Sequence, residues 1–146
     1  GGNVDHLREV GRRLRDDGTL YAIEWMWNDS IPELVDDLFE HNGPHGGPKE
    51  TALIQHLHPD WVHDDRLEAA RDGGLVDWEN GARLQHGSRT FYDAIENTGN
   101  GVLGDQTDAT AAKGEQLFEA ATEQLCELAE WLADRDHEAL IPPEHV

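Results

Sequence analysis

The chain has 146 residues, 37% of them hydrophobic and five of them tryptophan, so it is large enough to bury the core of one domain. Its 31 acidic residues outnumber its 11 basic residues, and the formal net charge of −20 argues against nucleic acid as a ligand. No apolar run approaches the roughly 18 residues of a membrane span and no signal peptide is visible, so the sequence predicts a cytoplasmic protein without a membrane partner.

The acidic residues are spread along the whole chain rather than gathered in one block. Repulsion among so many carboxylates opposes compaction in dilute buffer, whereas salt at about 1 M screens charges beyond roughly 3 Å. The distribution predicts a halophile-type protein adapted to a salty cytoplasm. The alternative, an acidic surface that binds a basic partner, is less well supported because no acidic block stands out.

The first part of the chain predicts a helix followed by a buried strand. The helix begins after Asn3, a good N-cap, and ends at Gly18, because apolar residues recur at spacings of three and four: Val4, Leu7, Val10 and Leu14. Residues 20–27 are apolar on both alternating sets, which is typical of a strand covered on both faces in a parallel α/β sheet. Glu24 interrupts this strand, and a strand end or a paired arginine explains it better than a functional role.

Two more amphipathic helices are predicted on either side of a region without a clear period. Residues 31–40, with Ser30 as N-cap, predict a short helix. Turn signals dominate residues 61–90, which predicts a loop with at most short strands. Residues 107–134 predict the longest helix, and Cys126 within its pattern is expected to be a buried thiol.

Residues 42–57 carry the most distinctive pattern, a polar loop with three glycines and two prolines that leads into a helix. Because glycine permits positive φ and proline fixes φ, His45 is presented on a bent loop. Pro48 suits the first helical position, with Gly47 as N-cap and Glu50 at the third position. Two interpretations are open: Glu50 caps the helix while His45 faces solvent, or the two groups form a functional site near the positive end of the helix dipole.

Nine histidines invite a search for a metal site. His56 and His58 are two residues apart on a predicted helix, so their side chains point about 200° away from each other and cannot bind the same ion. His41 and His45 are four apart, but a Gly-Pro pair breaks the helix that would align them. Neither pair matches a zinc signature, so the histidine spacing does not predict a complete metal site.

Three stretches resemble, in the same order, motifs of the creatininase (creatinine amidohydrolase) family. Residues 44–54, P-H-G-G-P-K-E-T-A-L-I, followed by H-P-D-W-V at 58–62, resemble its histidine-glycine-glycine and E-T segment. Residues 100–121, which begin N-G-V-L-G-D-Q-T-D-A-T-A-A-K-G, resemble its later loop and last helix, with Gln106 in place of the usual proline. The opening G-G-N-V-D resembles the segment after the family's N-G-H.

The resemblance implies a three-layer α/β fold with a mostly parallel sheet. Residues 1–146 would be the C-terminal portion of this single domain, without its N-terminal half, and residues 136–146 a loose tail. The resemblance also implies two divalent metal ions, zinc or manganese, and a homo-oligomer, commonly a hexamer. It implies hydrolysis of a cyclic amide or formamide C–N bond, with the processing of a small peptide as a further activity of such proteins. The family motif that supplies most metal ligands would lie upstream, so most ligands are missing from this chain.

Matched residue by residue, the resemblance implies His45 as the catalytic residue and Glu50 as a metal ligand. We predict substrate contacts from Gly46, Gly47 and Trp25. One glutamate cannot complete two metal sites, because a catalytic zinc needs about three protein ligands and a water. Two functions therefore remain open: the C-terminal half of a metal-dependent amidohydrolase, or a non-catalytic truncated subunit that acts only in packing and oligomerisation.

The charge distribution leads to a prediction about folding. We expect the helical circular dichroism signal of the purified chain to increase between dilute buffer and about 2 M KCl, because salt screens the repulsion among carboxylates. NaCl at equal ionic strength should act in the same way. A spectrum that does not change with either salt would contradict adaptation to a salty cytoplasm.

Overall fold

The computed structural model describes residues 4–16, 24–40, 43, 45–71, 99–102 and 104–140. The main elements in these ranges are helices α1 (Val4–Asp16), α2 (Pro32–Leu38), α3 (Pro48–Leu57), α4 (Leu67–Ala70) and α5 (Ala111–Ala133). None of these described helices is both long enough and apolar enough to cross a membrane. The chain divides into two units, one made of Gly1–Ser30 with Ala121–Val146 and the other of Ile31–Ala120.

The predicted three-layer α/β fold with a mostly parallel sheet is wrong for the described residues, which are mainly helical and contain no β-strand. Residues 24–26 have no regular structure, and residues 20–23 of the predicted strand lie outside the described ranges. Trp27–Ser30 form a 3₁₀ turn, in which Ser30 Oγ donates a 2.7 Å hydrogen bond to the Trp27 carbonyl. A short run that is apolar on both alternating sets does not distinguish strand from turn, and here the serine favours the turn.

Glu24 is paired with an arginine, as one of the two preferred interpretations of this residue predicts. Its carboxylate accepts hydrogen bonds from Arg8 Nη2 at 2.7 Å and from Arg8 Nε at 3.1 Å. Both side chains are partly exposed, so the pair contributes little free energy of folding. Its effect is geometric, because it ties the segment around Glu24 to α1.

The apolar face of α2 lies in the core of the Ile31–Ala120 unit. Ile31, Val35 and Phe39 follow one another at spacings of four, and all three are buried. The predicted N-cap, Ser30, is wrong: the N-cap is Ile31, which has no side-chain hydrogen bond, and Pro32 begins the helix without an N–H to satisfy. The other buried apolar residues of this core are Pro48, Ala52, Ala109 and Leu117.

Helices α3 and α5 pack in direct backbone contact at Gly114. A Cβ atom built on Gly114 would lie 1.9 Å from the carbonyl oxygen of Ala52, which is itself completely buried. Leu117, one turn further along α5, is also completely buried. The sequence predicts α3 correctly, with Gly47 as N-cap and Pro48 as its first residue. The sequence does not show that Gly114 of α5 contacts Ala52 of α3.

The start of α5 and the environment of Cys126 differ from the sequence predictions. The predicted helix at 107–134 begins only at Ala111, because Gln106–Asp108 form a separate 3₁₀ turn and Thr110 Oγ1 accepts a hydrogen bond from the Lys113 N–H at 3.2 Å. Cys126 is exposed rather than buried. It lies nine residues beyond the buried Leu117, which places it about 180° around the helix.

The contact between α3 and α5 leads to a prediction about stability. Helix propensity alone favours alanine over glycine by about 1 kcal/mol. Gly114→Ala should nevertheless lower the free energy of unfolding by about 1–3 kcal/mol or more, because the added methyl group overlaps the Ala52 carbonyl. Urea unfolding in KCl, followed by circular dichroism, measures the change.

Ala112→Gly is the matched control, since Ala112 is exposed on the same helix. Its cost should be limited to the propensity difference of about 1 kcal/mol. If Gly114→Ala stabilised the chain, the close approach of the two helices would be refuted.

Candidate functional site

Glu50 fixes the loop that precedes α3. Its Oε2 atom accepts a 2.5 Å hydrogen bond from the Gly46 N–H, and Gly46 has a φ of 61°, in the left-handed region that glycine adopts readily. Glu50 is the third residue of α3, so this contact resembles the second half of a capping box, in which a side chain reaches back to the residues before the helix. The carboxylate also lies at the positive end of the helix dipole. The structure therefore gives Glu50 a role in holding the loop.

The two loops that carry the family motifs lie against each other through glycine backbones. A Cβ atom on Gly104 would lie 2.9 Å from the Gly43 Cα and 3.1 Å from the Gly47 Cα. Gly46 faces the second loop as well, since a Cβ atom there would meet Val102 Cγ2 at 3.4 Å. Any side chain at Gly104 would push the loops apart. The distant motifs of the sequence therefore form one structural feature, called here the paired loops (the described residues 43, 45–50, 100–102, 104 and 105).

Asp105 anchors the second of the paired loops. Its Oδ1 atom accepts a 3.0 Å hydrogen bond from the Thr107 N–H, which caps the 3₁₀ turn, and it also accepts one from the Thr107 hydroxyl. Its Oδ2 atom lies 2.8 Å from Arg71 Nε. The carboxylate is mostly buried, with 17% of the side chain exposed, so this ion pair is less screened than the others on the surface. Asn100 adds a bond from its Nδ2 to the Ala70 carbonyl at 3.2 Å.

Lys113 connects the start of α5 with the core. Its Nζ atom lies 2.5 Å from Asp108 Oδ1 and 4.8 Å from the centre of the Phe39 ring. The ammonium group thus closes the turn before the helix and also makes a cation–π contact. Together with Gly114, it shows that the K-G pair of the motif has a packing role. The sequence analysis missed this role, because Phe39 and Ala52 lie more than sixty residues away along the chain.

The structure brings four of the five predicted site residues together. His45, Gly46, Gly47 and Glu50 are consecutive or nearly so in the first of the paired loops, and the His45 side chain is exposed. Trp25 belongs to the other unit, where it lines a groove along α1. The roles of His45 in catalysis and of the two glycines and Trp25 in substrate binding remain predictions.

The described residues do not fit a metal site by themselves. Among them, no group of three or more histidine, cysteine or carboxylate side chains is placed to hold an ion. Glu50, the predicted ligand, has one oxygen committed to the Gly46 N–H. The predicted two divalent ions would need further ligands from outside the described part of the chain.

The histidines of α3 and its C-terminal end lie against aromatic rings. His56 faces Phe118 of α5, with ring centroids 5.7 Å apart. His58 stacks on Trp61, with centroids 4.1 Å apart and planes inclined by 12°. The two imidazoles have different neighbours. His58 follows the last residue of α3 and has non-helical backbone angles, so the opposite directions predicted from helical spacing do not apply to it.

Comparisons with known proteins place the chain in a family. The sequence model described as creatinine amidohydrolase matches residues 1–129, so the chain belongs to the creatininase family and the assignment made from its three motifs is confirmed. The chain is 31% identical to the mycofactocin precursor peptide peptidase of Mycobacterium ulcerans and 30% identical to that of Mycolicibacterium smegmatis, each over 137 residues. These alignments cover 93% of this chain and 48% of each relative.

A Mycobacterium tuberculosis protein with the same description is 34% identical over 94 residues, which are 64% of this chain and 35% of that relative. The chain therefore spans about half the length, or less, of these curated relatives. No solved structure shows a significant match to it.

The geometry of Glu50 leads to a prediction that separates its two roles. Glu50→Ala should lower the free energy of unfolding by about 1.5–3 kcal/mol, because the Gly46 N–H loses a charged acceptor. Glu50→Gln should cost less than half of that, since its amide oxygen still accepts the bond. Urea unfolding of both variants measures the difference. Equal stability of Glu50→Ala and the parent chain would show that the contact does not hold the loop.

Proposed function

We propose that this member of the creatininase family forms part of an amidohydrolase that cleaves an amide C–N bond in a peptide substrate. The proposal is supported by the family match and by the relatives described as precursor peptide peptidases. A small cyclic amide or formamide, expected from the motif resemblance alone, is the competing substrate class. Because this chain spans about half of the relatives' length, we assign the activity to the complete enzyme.

The observation that carries the proposal is the arrangement of the paired loops. Gly104 lies against Gly43 and Gly47, and Glu50 holds Gly46, so the first loop has backbone contacts on both sides of Gly46. His45, the neighbour of Gly46, is nevertheless exposed. A side chain that is accessible yet attached to a constrained backbone suits a group that must meet a substrate in a defined position.

We assign His45 the transfer of a proton to the leaving nitrogen. An amide nitrogen is a poor leaving group until it is protonated, and a positioned imidazole is the group that proteins use most often for such transfers. The Cβ positions of Gly46 and Gly47 face Val102 and the Gly43 backbone, so these glycines serve the packing of the paired loops and substrate contacts from them stay a prediction. Any divalent metal ion of the complete enzyme would be held by residues outside those described, and Glu50 would support the loop.

One observation favours the second candidate function, a non-catalytic packing module. Three apolar residues of α1 are exposed, Leu7 at 59%, Val10 at 51% and Leu14 at 43%. A soluble protein seldom leaves such a stripe uncovered, so this face is suited to association. The two functions exclude each other, because a non-catalytic module would contribute no group to the reaction, and the test of His45 separates them.

The role of His45 leads to a prediction about catalysis. In the complete enzyme, His45→Ala should lower kcat by roughly 10²-fold or more, because the leaving nitrogen loses its proton donor. The test measures the rates at which the parent and variant enzymes cleave a peptide amide, creatinine and a formamide. The ratio of the three rates also decides between the peptide and the small-molecule substrate classes.

His63→Ala is the matched control, since His63 is also exposed but lies outside the paired loops. It should leave the rate within about twofold of the parent enzyme, in line with the small effect of most surface substitutions away from the chemistry. If His45→Ala kept full turnover on every substrate, His45 would have no part in the reaction.

A further inference from the structure

The second of the paired loops is attached at both of its ends to the C-terminal end of α4. Asn100 Nδ2 donates a 3.2 Å hydrogen bond to the Ala70 carbonyl, and Asn100 Oδ1 accepts one of 3.0 Å from the Val102 N–H. At the other end of the loop, Arg71 Nε lies 2.8 Å from Asp105 Oδ2. Ala70 is the last residue of α4 and Arg71 follows it directly. These contacts are called here the α4 clamp (Ala70, Arg71, Asn100 and Asp105).

The residues between the two attached ends contact the first of the paired loops. A Cβ atom on Gly46 would meet Val102 Cγ2 at 3.4 Å. A Cβ atom on Gly104 would lie 2.9 Å from the Gly43 Cα, so the two backbones touch there. Gly43 and Gly46 lie on either side of His45 in the sequence. The second loop therefore transmits the position of the clamp to the backbone that carries the imidazole.

Helix α4 is itself held by α3. It follows directly on the 3₁₀ turn Asp64–Arg66, in which Asp64 Oδ1 accepts a 3.1 Å hydrogen bond from Gln55 Nε2 of α3. The first loop leads into the same helix α3. The contacts thus form a closed ring, which runs from α3 through α4 and the second loop to the first loop and back to α3. A substitution that opens this ring at the clamp should loosen the first loop without altering any residue in it.

The ion pair between Arg71 and Asp105 is the link of this ring that depends on charge. Only 17% of the Asp105 side chain is exposed, so its carboxylate needs a charged partner more than a surface carboxylate does. Arg71 also lies 3.8 Å from Glu68, but that side chain is 80% exposed and the contact is correspondingly weak. Removal of the Arg71 charge should therefore act mainly on the second loop.

We propose that Arg71 is a positioning residue for His45. Through Asp105 it fixes the second loop, and the contacts at Gly104 and Val102 fix the first loop, so that the imidazole meets the substrate from one direction. Arg71 acts through this chain of contacts and not on the substrate. The inference rests on the proposed catalytic role of His45 and adds to it the group that holds the imidazole in place.

The test compares variants of Arg71 in the complete enzyme, with whichever of the peptide amide, creatinine and the formamide the parent cleaves fastest. Arg71→Gln keeps a polar side chain but removes the charge. It should lower kcat about tenfold and change KM less than about threefold, because the imidazole is misplaced while the rest of the substrate site is intact. Arg71→Lys restores the charge and should bring kcat to within about threefold of the parent. A role in stability alone would lower the folded fraction, which circular dichroism measures, without changing kcat per folded enzyme.

Two further substitutions test the specificity and the route of the effect. Arg66→Gln is the matched control, because Arg66 is an exposed arginine of the turn before α4 and does not belong to the clamp. It should leave kcat within about twofold of the parent. In Asp105→Asn, the amide oxygen can still accept the bond from the Thr107 N–H while the charge that faces Arg71 is lost. If Arg71 acts through Asp105, kcat of the double variant should lie within about twofold of the slower single variant.

Hydrogen exchange, measured by mass spectrometry, tests the clamp without any assay of turnover. Arg71→Gln should speed exchange of the amides of residues 45–47, which include the Gly46 N–H bound by Glu50, at least about fivefold. The amides of α5 should stay within about twofold of the parent.

Three outcomes would overturn the proposal: unchanged exchange in the first loop of Arg71→Gln, unchanged kcat of Arg71→Gln in an enzyme that His45→Ala inactivates, or additive losses in the double variant. Full turnover of His45→Ala would instead overturn the proposed function, and with it the catalytic effect inferred for Arg71. The exchange result tells the two failures apart, because it shows whether the clamp holds the loop whatever the loop does in the reaction.

Discussion

The close approach of glycine backbones is the constraint on which the described structure of the Ile31–Ala120 unit depends. Helix α3 is fixed at two points, by Gly104 against the loop before it and by Gly114 against Ala52 in its second turn. Neither contact leaves space for a Cβ atom, so both are available only to glycine. Because both glycines belong to the same later motif, one stretch of sequence positions the helix and the loop that carries His45.

Features that depend on interactions between neighbouring residues were predictable from the sequence, whereas features that depend on contacts between distant residues were not. The bounds of α3 were predictable because proline and glycine act on the backbone within one or two residues. In the part of the predicted strand that the structure describes, residues 24–27, the prediction was wrong because the pattern specified burial without specifying a partner, and the Ser30 hydroxyl closes a local turn on Trp27 instead. The helix crossing at Gly114 was not predictable, since a glycine in a helix gives no sign of which carbonyl it meets fifty or more residues away.

The same distinction applies to the candidate site. The sequence showed that Glu50 could cap a helix or serve a functional centre, and the hydrogen bond to Gly46 supports the first role. Gln106 illustrates the limit of motif comparison, because its replacement of the usual proline gave no indication of where its side chain lies. In the structure its amide is almost completely buried, with no hydrogen-bond partner among the described residues. A buried amide without a hydrogen-bond partner costs free energy of folding.

A family motif contains residues that are needed for packing and residues that can act in the chemistry, and the structure distinguishes the two groups. Glu50, Gly104 and Gly114 are required by packing, so a chain that has lost its chemistry would still need them to fold. They identify the family but cannot distinguish an enzyme from a packing module. His45 has an exposed side chain, so its imidazole is the feature for which packing gives the weakest explanation.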